Sequence, residues 1–229
     1  MPEKDAPILE AIQSTMGLTN KGRDKVIHLV RKKHPELGSS RIRRVYEQNG
    51  FAFYKHKKSR SKNKPPNPIT IPPALNEEWA IDFMSDALLD GRKIRTLNCV
   101  DHHNRQCNGI EIRFSFPARC VIDFLERAIA YYGKPKRIRT DNGPEFTSKQ
   151  FQKWLFDNHI AWSEIEKGKP QQNAIIERLN KTIREDLLDA FLFHDIEDAQ
   201  QKADAWIVDY NEIRPHEALN YETPLSYVV

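Results

Sequence analysis

Trp-Ala-Ile-Asp-Phe-Met (79–84) reads as a buried strand with one carboxylate, Asp82, set into it. Two further strand-like runs follow at 93–100 and 107–114. Residues 117–132 change to helical spacing, with Val121, Ile122, Leu125 and Ile129 in one stripe. Arg-Ile-Arg-Thr (137–140) is a short strand that delivers Asp141. A helix near 147–158 and a strand near 160–165 come next, and past the breakers Gly168 and Pro170 a long helix covers about 172–190. Asp195 is placed to cap a last helix, about 196–212, which buries Ala199, Ala203, Trp206 and Tyr210 and ends at Arg214-Pro215-His216. Three opening strands followed by alternating helices and strands predict an α/β domain, a mixed sheet flanked by helices.

Three carboxylates stand in or at the ends of these elements. They are Asp82, Asp141 at the head of Asp-Asn-Gly-Pro-Glu-Phe (141–146), and Glu177 in Gln-Gln-Asn-Ala-Ile-Ile-Glu-Arg (171–178). Carboxylate oxygens suit Mg²⁺ or Mn²⁺, and two such ions can clamp the attacking and leaving oxygens of a phosphodiester. On the long helix Ile176, Leu179, Ile183 and Leu187 face the core, while Glu177, Lys181 and Arg184 share the adjacent face. The helix can therefore aim Glu177 at a metal site and hold two cations beside DNA. For Lys181 an intrahelical Glu–Lys pair is an equal alternative. Gly143 is expected to supply a backbone conformation other residues resist, and Asn142 either shapes that turn or contacts DNA or the metal shell. Glu145 reads as a surface pairing group. Asp101-His102-His103 is not taken as a metal site, because neighbours on an extended segment point to opposite faces. His216 has no second His at ligand spacing, so it reads as structural or as a DNA contact.

Four blocks together carry a family resemblance: Trp-Ala-Ile-Asp-Phe-Met-Ser-Asp, Asp-Asn-Gly-Pro-Glu-Phe-Thr-Ser, Gly-Lys-Pro-Gln-Gln-Asn-Ala-Ile-Ile-Glu-Arg-Leu-Asn, and Asp-Tyr-Asn-Glu-Ile-Arg-Pro-His-Glu-Ala-Leu. The chain resembles bacterial insertion-sequence transposases of the OrfB type, with the DDE integrase core shared with retroviral integrases. The resemblance implies a ribonuclease H-like fold and catalytic, metal-binding roles for Asp82, Asp141 and Glu177. It implies that Asp82 bridges two ions while Asp141 and Glu177 hold one each. It also matches Arg184 to a basic residue seven positions after the catalytic Glu. The implied activity is metal-dependent cleavage and strand transfer of an insertion element. The implied partners are double-stranded DNA at element ends and target, further copies of the chain, and an upstream helix-turn-helix protein of the same element. A non-catalytic DNA-binding remnant and a ribonuclease H-like nuclease are the alternatives.

Charge is unevenly spread. Residues 20–64 carry 15 Lys and Arg against three Asp and Glu, a net +12, which leaves −8 for the remainder of a chain whose total is +4. A basic arm beside an acidic catalytic domain points to a polyanion partner. Residues 1–20 carry little signal. Residues 22–34 (Val26, Ile27, Val30) and a second helix capped by Ser39 or Ser40 (Ile42, Val45, Tyr46) form a helical pair. With Arg41, Arg43 and Arg44 on it, the pair resembles half of a helix-turn-helix. The further helix that the resemblance implies after this pair is missing before the basic run. Residues 1–54 are thus expected to be a small DNA-binding region, 55–77 a linker and 78–229 the catalytic core. Lys55, Lys57, Lys58, Arg60, Lys62 and Lys64, followed by five prolines, suit an extended segment that tracks phosphates without reading sequence.

Apolar residues make up 39% of the chain, enough for a real core, yet no run of 18 of them could span a membrane. The start lacks the pattern of a secretory signal, and Cys99, Cys107 and Cys120 form neither Cys-x-x-Cys nor an even set. These features fit a cytoplasmic, nucleoid-associated protein with reduced thiols.

Overall fold

The computed structural model describes residues 5–16, 22–51, 71–165 and 173–227. The basic run 55–64 lies outside them. Five strands form one sheet in the order β3-β2-β1-β4-β5. They are β1 (Glu78–Ala87), β2 (Lys93–Asp101), β3 (Cys107–Arg113), β4 (Arg137–Thr140) and β5 (Ala161–Glu164). β1, β2 and β3 are antiparallel, whereas β4 and β5 run parallel to β1. This is the mixed sheet that the strand-helix order predicts.

The pleat sorts side chains between two cores. Trp79, Ile81, Leu97 and Cys99 pack against α4 (Ala118–Tyr132) and α6 (Lys149–Asp157). Ala80, Val100, Ile110 and Ile112 pack on the other face against α7 (Ala174–Ile183) and α8 (Ile196–Val208). Trp79 is fully buried, and its indole NH donates to Asn76 at 2.9 Å and Asp101 at 3.2 Å. Asp101 is thereby a structural acid at the end of β1 away from Asp82. His102 donates to the buried Glu78 at 2.7 Å. Burial opposes the Glu78 charge, but His102 and Arg139 outweigh it and hold the carboxyl at about 2.

The helical runs expected near 172–190 and 196–212 are present over 174–188 and 196–213, and each ends in a wide turn. α7 passes into a π-turn at Arg184–Leu188 and α8 into another at Asp209–Ile213. Each inserts a residue into the helical ladder without exposing the apolar stripe, so Leu187 and Tyr210 remain buried. A buried Asp186–Arg214 ion pair ties the two turns together. Asp195 caps α8 as expected, accepting from the Asp198 amide at 2.8 Å. The helix expected near 147–158 is α6, capped by Ser148, and a separate short turn, α5 (Pro144–Thr147), precedes it.

The N-terminal unit has three helices: α1 (Ala6–Met16), α2 (Arg23–Lys33) and α3 (Ser39–Gln48). α1 went unread because only Ile8 and Ile12, one turn apart, carry large buried apolar groups; both seat against Val26, Val30, Ile42 and Val45. The helix that completes the pair therefore precedes it. The cap of α3 is Gly38, with no side-chain hydrogen bond, and not Ser39 or Ser40.

Candidate active site

Strand register brings the first two acids level. The last β1–β4 pair is Ala80 with Arg139, and Asp82 and Asp141 each lie two residues further along parallel strands. Asp82 shares the face of Ala80 and Met84, the face covered by α7. Asp141 sits just beyond β4, exposed, with Oδ1 accepting from the Gly143 amide at 3.0 Å. Glu177 is exposed in the first turn of α7, where a carboxylate is favoured by the helix dipole.

Asp82 is held by two neighbours. The Phe83 amide and the Asn180 side chain each donate to it at 2.8 Å. Asn180 in turn accepts from Asn98 at 2.8 Å, and Asn98 faces Asp82 across the β1–β2 register. Neither asparagine was anticipated. The available signal for Asn180 was its place three residues after Glu177, on the same helical side. Burial lifts the Asp82 carboxyl to about 6, and the charges of Asp141 and Glu177 add to the rise against those two hydrogen bonds. Among the described residues no group of three His, Cys, Asp or Glu side chains is close enough to hold one ion.

The turn after Asp141 is clamped from the sheet. Arg95 pairs with Glu145 at 2.5 Å and lies 4.1 Å over the Phe83 ring, which stacks on Phe146 at 5.3 Å. Glu145 is thus paired, as expected, and its half-enclosed carboxylate anchors the Asp141 turn. Gly143 has an ordinary φ of −57°, so the expected special backbone is absent. A Cβ there would stand 3.1 Å from Glu145 Oε2 and 3.2 Å from Asp141 Oδ1, so the glycine supplies space.

Several candidate cations already have partners. Arg184 donates to Asp86 at 2.8 Å and to the Ser85 carbonyl at 2.6 Å, whereas Lys181 makes only a loose 3.7 Å pair with Glu185. Arg41 and Arg44 converge on the buried Asp5, at 3.1 and 2.9 Å, and Arg43 lies 3.6 Å from Asp24. Asn142 is exposed beside Asp141. His216 packs edge-on to Tyr210, and burial lowers its pKa to about 3, a structural role. His103 approaches the Pro72 carbonyl at 2.8 Å, so the His102-His103 pair is structural too.

An integrase core domain family matches residues 72–170, and a second integrase core domain family matches 158–224. The chain is similar to the uncharacterized 31.7 kDa protein of insertion element IS407 from Burkholderia multivorans, with 36% identity over 199 residues, 87% of this chain and 72% of the relative. It is also similar to the transposase for insertion sequence element IS904 of Lactococcus lactis, at 27% identity over 190 residues, 80% of this chain and 75% of that one. Among solved structures, the HTLV-2 integrase catalytic core domain in complex with magnesium superposes with a TM-score of 0.55 at 23% identity, covering 70% of this chain and 99% of that one. A chain of the simian T-cell lymphotropic virus intasome gives a TM-score of 0.63 at 18% identity, covering 95% and 73%. These two structures establish the ribonuclease H-like integrase fold. The chain belongs to the integrase-core family of bacterial insertion-element transposases, and its function is DNA transposition.

Proposed function

We propose that Asp82, Asp141 and Glu177 are the catalytic carboxylates of a DDE transposase that cleaves element ends and joins their 3′-hydroxyls to target DNA. The observation that carries this reading is geometric: the β1–β4 register sets Asp82 level with Asp141, and α7, three residues past Glu177, hydrogen-bonds Asp82 through Asn180, in a setting where burial and like charges raise the Asp82 carboxyl. A structural acid gains nothing from such company, whereas carboxylates poised to share a cation must repel before it arrives. The donor set is all hard oxygen, which fits Mg²⁺ or Mn²⁺. Asp82, Asp141 and Glu177 are the residues that would hold such ions. When bound, such ions supply charge neutralisation at the attacking and leaving oxygens of the phosphodiester.

The protein's own part is placement. The Asn98–Asn180 relay fixes the Asp82 carboxylate, the Arg95–Glu145 clamp fixes the turn after Asp141, and the packed α7 stripe fixes the pitch of Glu177. In the exchange one P–O bond forms to the incoming 3′-oxygen as another breaks. Lys181 and Asn142, both exposed, would meet the DNA backbone. Arg184 can do so only by exchanging Asp86 for a phosphate. Lys55, Lys57, Lys58, Arg60, Lys62 and Lys64 would track phosphates without reading sequence, while Arg41, Arg43 and Arg44 belong to the helix-turn-helix-like unit, where Arg41 and Arg44 would have to exchange Asp5 for DNA. Double-stranded DNA and further copies of the chain bound on it are the proposed partners. No helix among the described residues is long and apolar enough to cross a membrane, and the nucleoid is the proposed location.

Strand transfer of an end-containing duplex tests the reading. Asp82→Asn, Asp141→Asn and Glu177→Gln should each abolish product while retaining fold and DNA affinity, and double variants should lose nothing more. Full transfer by any one of them refutes the assignment, and hydrolysis without joining by the parent chain favours a nuclease.

A further inference from the structure

Beside α7 lies a cavity of about 90 Å³ that the transposition chemistry does not use. Its walls come from four separated parts of the chain: Lys25 of α2, Arg105 of the β2–β3 turn, Arg178 of α7, and Arg214 beyond the second π-turn. Ile175, Arg178 and Thr182 of α7 line it, and Glu177, about 100° around the helix from Arg178, does not.

Among the described residues, the charge around this cavity is unbalanced. The four cations face Glu217 on the rim and Asp186, which is already committed to Arg214. Two positive charges are left over, since His216 is held neutral by burial. Arg105 and Arg178 make no ion pair among the described residues. Arg214 is only 6% exposed, yet its Nε, like that of Arg105, is buried with no hydrogen-bond partner. A buried guanidinium NH without an acceptor is costly, and uncharged water cannot balance the excess charge. Arg105 also holds a left-handed backbone, φ 62°, that a non-glycine residue rarely adopts. Burial and then the charge of Arg214 lower the Lys25 ammonium to about 8, as expected of a cation in a site lacking its anion.

We infer that this cavity is an oxyanion site for a phosphate group, clamped by Arg105, Arg178, Arg214 and Lys25. A cavity of this size has room for one tetrahedral anion. Guanidinium forks match phosphate oxygens in pairs, which explains three arginines around so small a space. Because Lys25 belongs to the N-terminal unit and the other three to the catalytic domain, an anion here would pin the two together. The His28–Tyr221 ring stack, at 5.2 Å, joins the same two surfaces. Inorganic phosphate and a DNA backbone phosphate present the same chemistry.

The test uses the full chain at fixed ionic strength, with inorganic phosphate replacing chloride. Calorimetric titration should show saturable binding of about one phosphate per chain, with a matching rise in Tm. Lys25→Gln at a half-buried position and Arg178→Gln at an exposed one should each weaken that binding roughly tenfold or more. Circular dichroism checks that each variant folds, and Arg178→Lys should retain part of the affinity. Displacement of phosphate by a short duplex would assign the site to the DNA backbone, and undiminished phosphate binding by duplex-loaded protein would assign it to the free anion. No binding beyond that of chloride, or equal binding by parent and both variants, overturns the proposal.

Discussion

Asn180 donates its side-chain amide to Asp82 at 2.8 Å, and its own carbonyl accepts from Asn98 at the same distance. The relay crosses from helix to sheet and decides which way the Asn180 amide faces. Without Asn98, a flipped Asn180 would turn its carbonyl oxygen toward a carboxylate. The residue thus acts through Asp82, positioning it and favouring its ionised form.

Asn180→Ala should lower strand transfer by roughly 10- to 100-fold, the range found when a partner of a metal-binding side chain is removed. Fold and DNA affinity should persist. A purely structural role would leave the pH profile in place. Loss of the hydrogen bond instead raises the Asp82 pKa, so the acidic limb of activity should move to higher pH. Reduced activity with an unmoved limb would count against positioning.

The Asp82 charge should also be visible in stability. Its carboxyl titrates at about 6 in the folded chain against 3.8 unfolded. Between those values the folded state binds the proton more readily, so stability falls as pH rises through this window. Above pH 6 the ionised group costs at most ~3 kcal/mol. Asp82→Asn should therefore raise Tm at pH 7.5 and flatten the pH 4–6 slope. Millimolar Mg²⁺ should raise the Tm of the parent more than that of the variant. Thermal denaturation across pH, with and without Mg²⁺, checks both, and an unchanged slope would refute the coupling.

The run of six cations between Lys55 and Lys64 is too dense for base readout but suited to phosphates. Changing all six to Gln should weaken binding to end-containing and scrambled duplexes alike. The log–log salt slope should flatten by ~0.9 for each phosphate that the variant no longer neutralises. Affinities at several salt concentrations decide the matter. Poorer discrimination with an unchanged slope would mean that the run reads sequence.

What was legible in the sequence was whatever follows from periodicity and local chemistry. The apolar runs of β1 and β2, the α4 stripe and the Asp195 cap all describe residues whose neighbours along the chain determine their state. What was hidden depends on distant partners. The Asn98–Asn180 relay spans 82 residues and the Arg95–Glu145 clamp 50, and no local pattern marks either. The π-turns were hidden for a related reason, because an inserted residue keeps Leu187 and Tyr210 on the buried side and leaves the apolar spacing looking helical. α1 was missed because a helix with only two large buried residues gains its stability from α2 and α3 and not from itself.

One such long-range interaction guards the sheet. β3 is an edge strand, and such an edge invites pairing with another chain. Here side-chain amides occupy it. Gln200 of α8 accepts from the Ile112 amide at 2.9 Å and donates to the Ile110 carbonyl at 2.8 Å. Asn211 accepts from the Cys107 amide and donates to the Cys107 carbonyl, both at 2.9 Å. Each amide imitates the backbone of a neighbouring strand. Gln200→Ala should cost only ~1 kcal/mol for each hydrogen bond removed, because the site is partly solvated. It should also open Ile110 and Ile112 to strand addition, so light scattering should detect concentration-dependent association in high salt and without DNA. Asn211→Ala strands buried backbone groups and should destabilise the chain more strongly, by roughly 1–3 kcal/mol per group. A Gln200→Ala chain that stays as monodisperse as the parent at every concentration would show that the α4 and α8 flanks protect this edge without the amides.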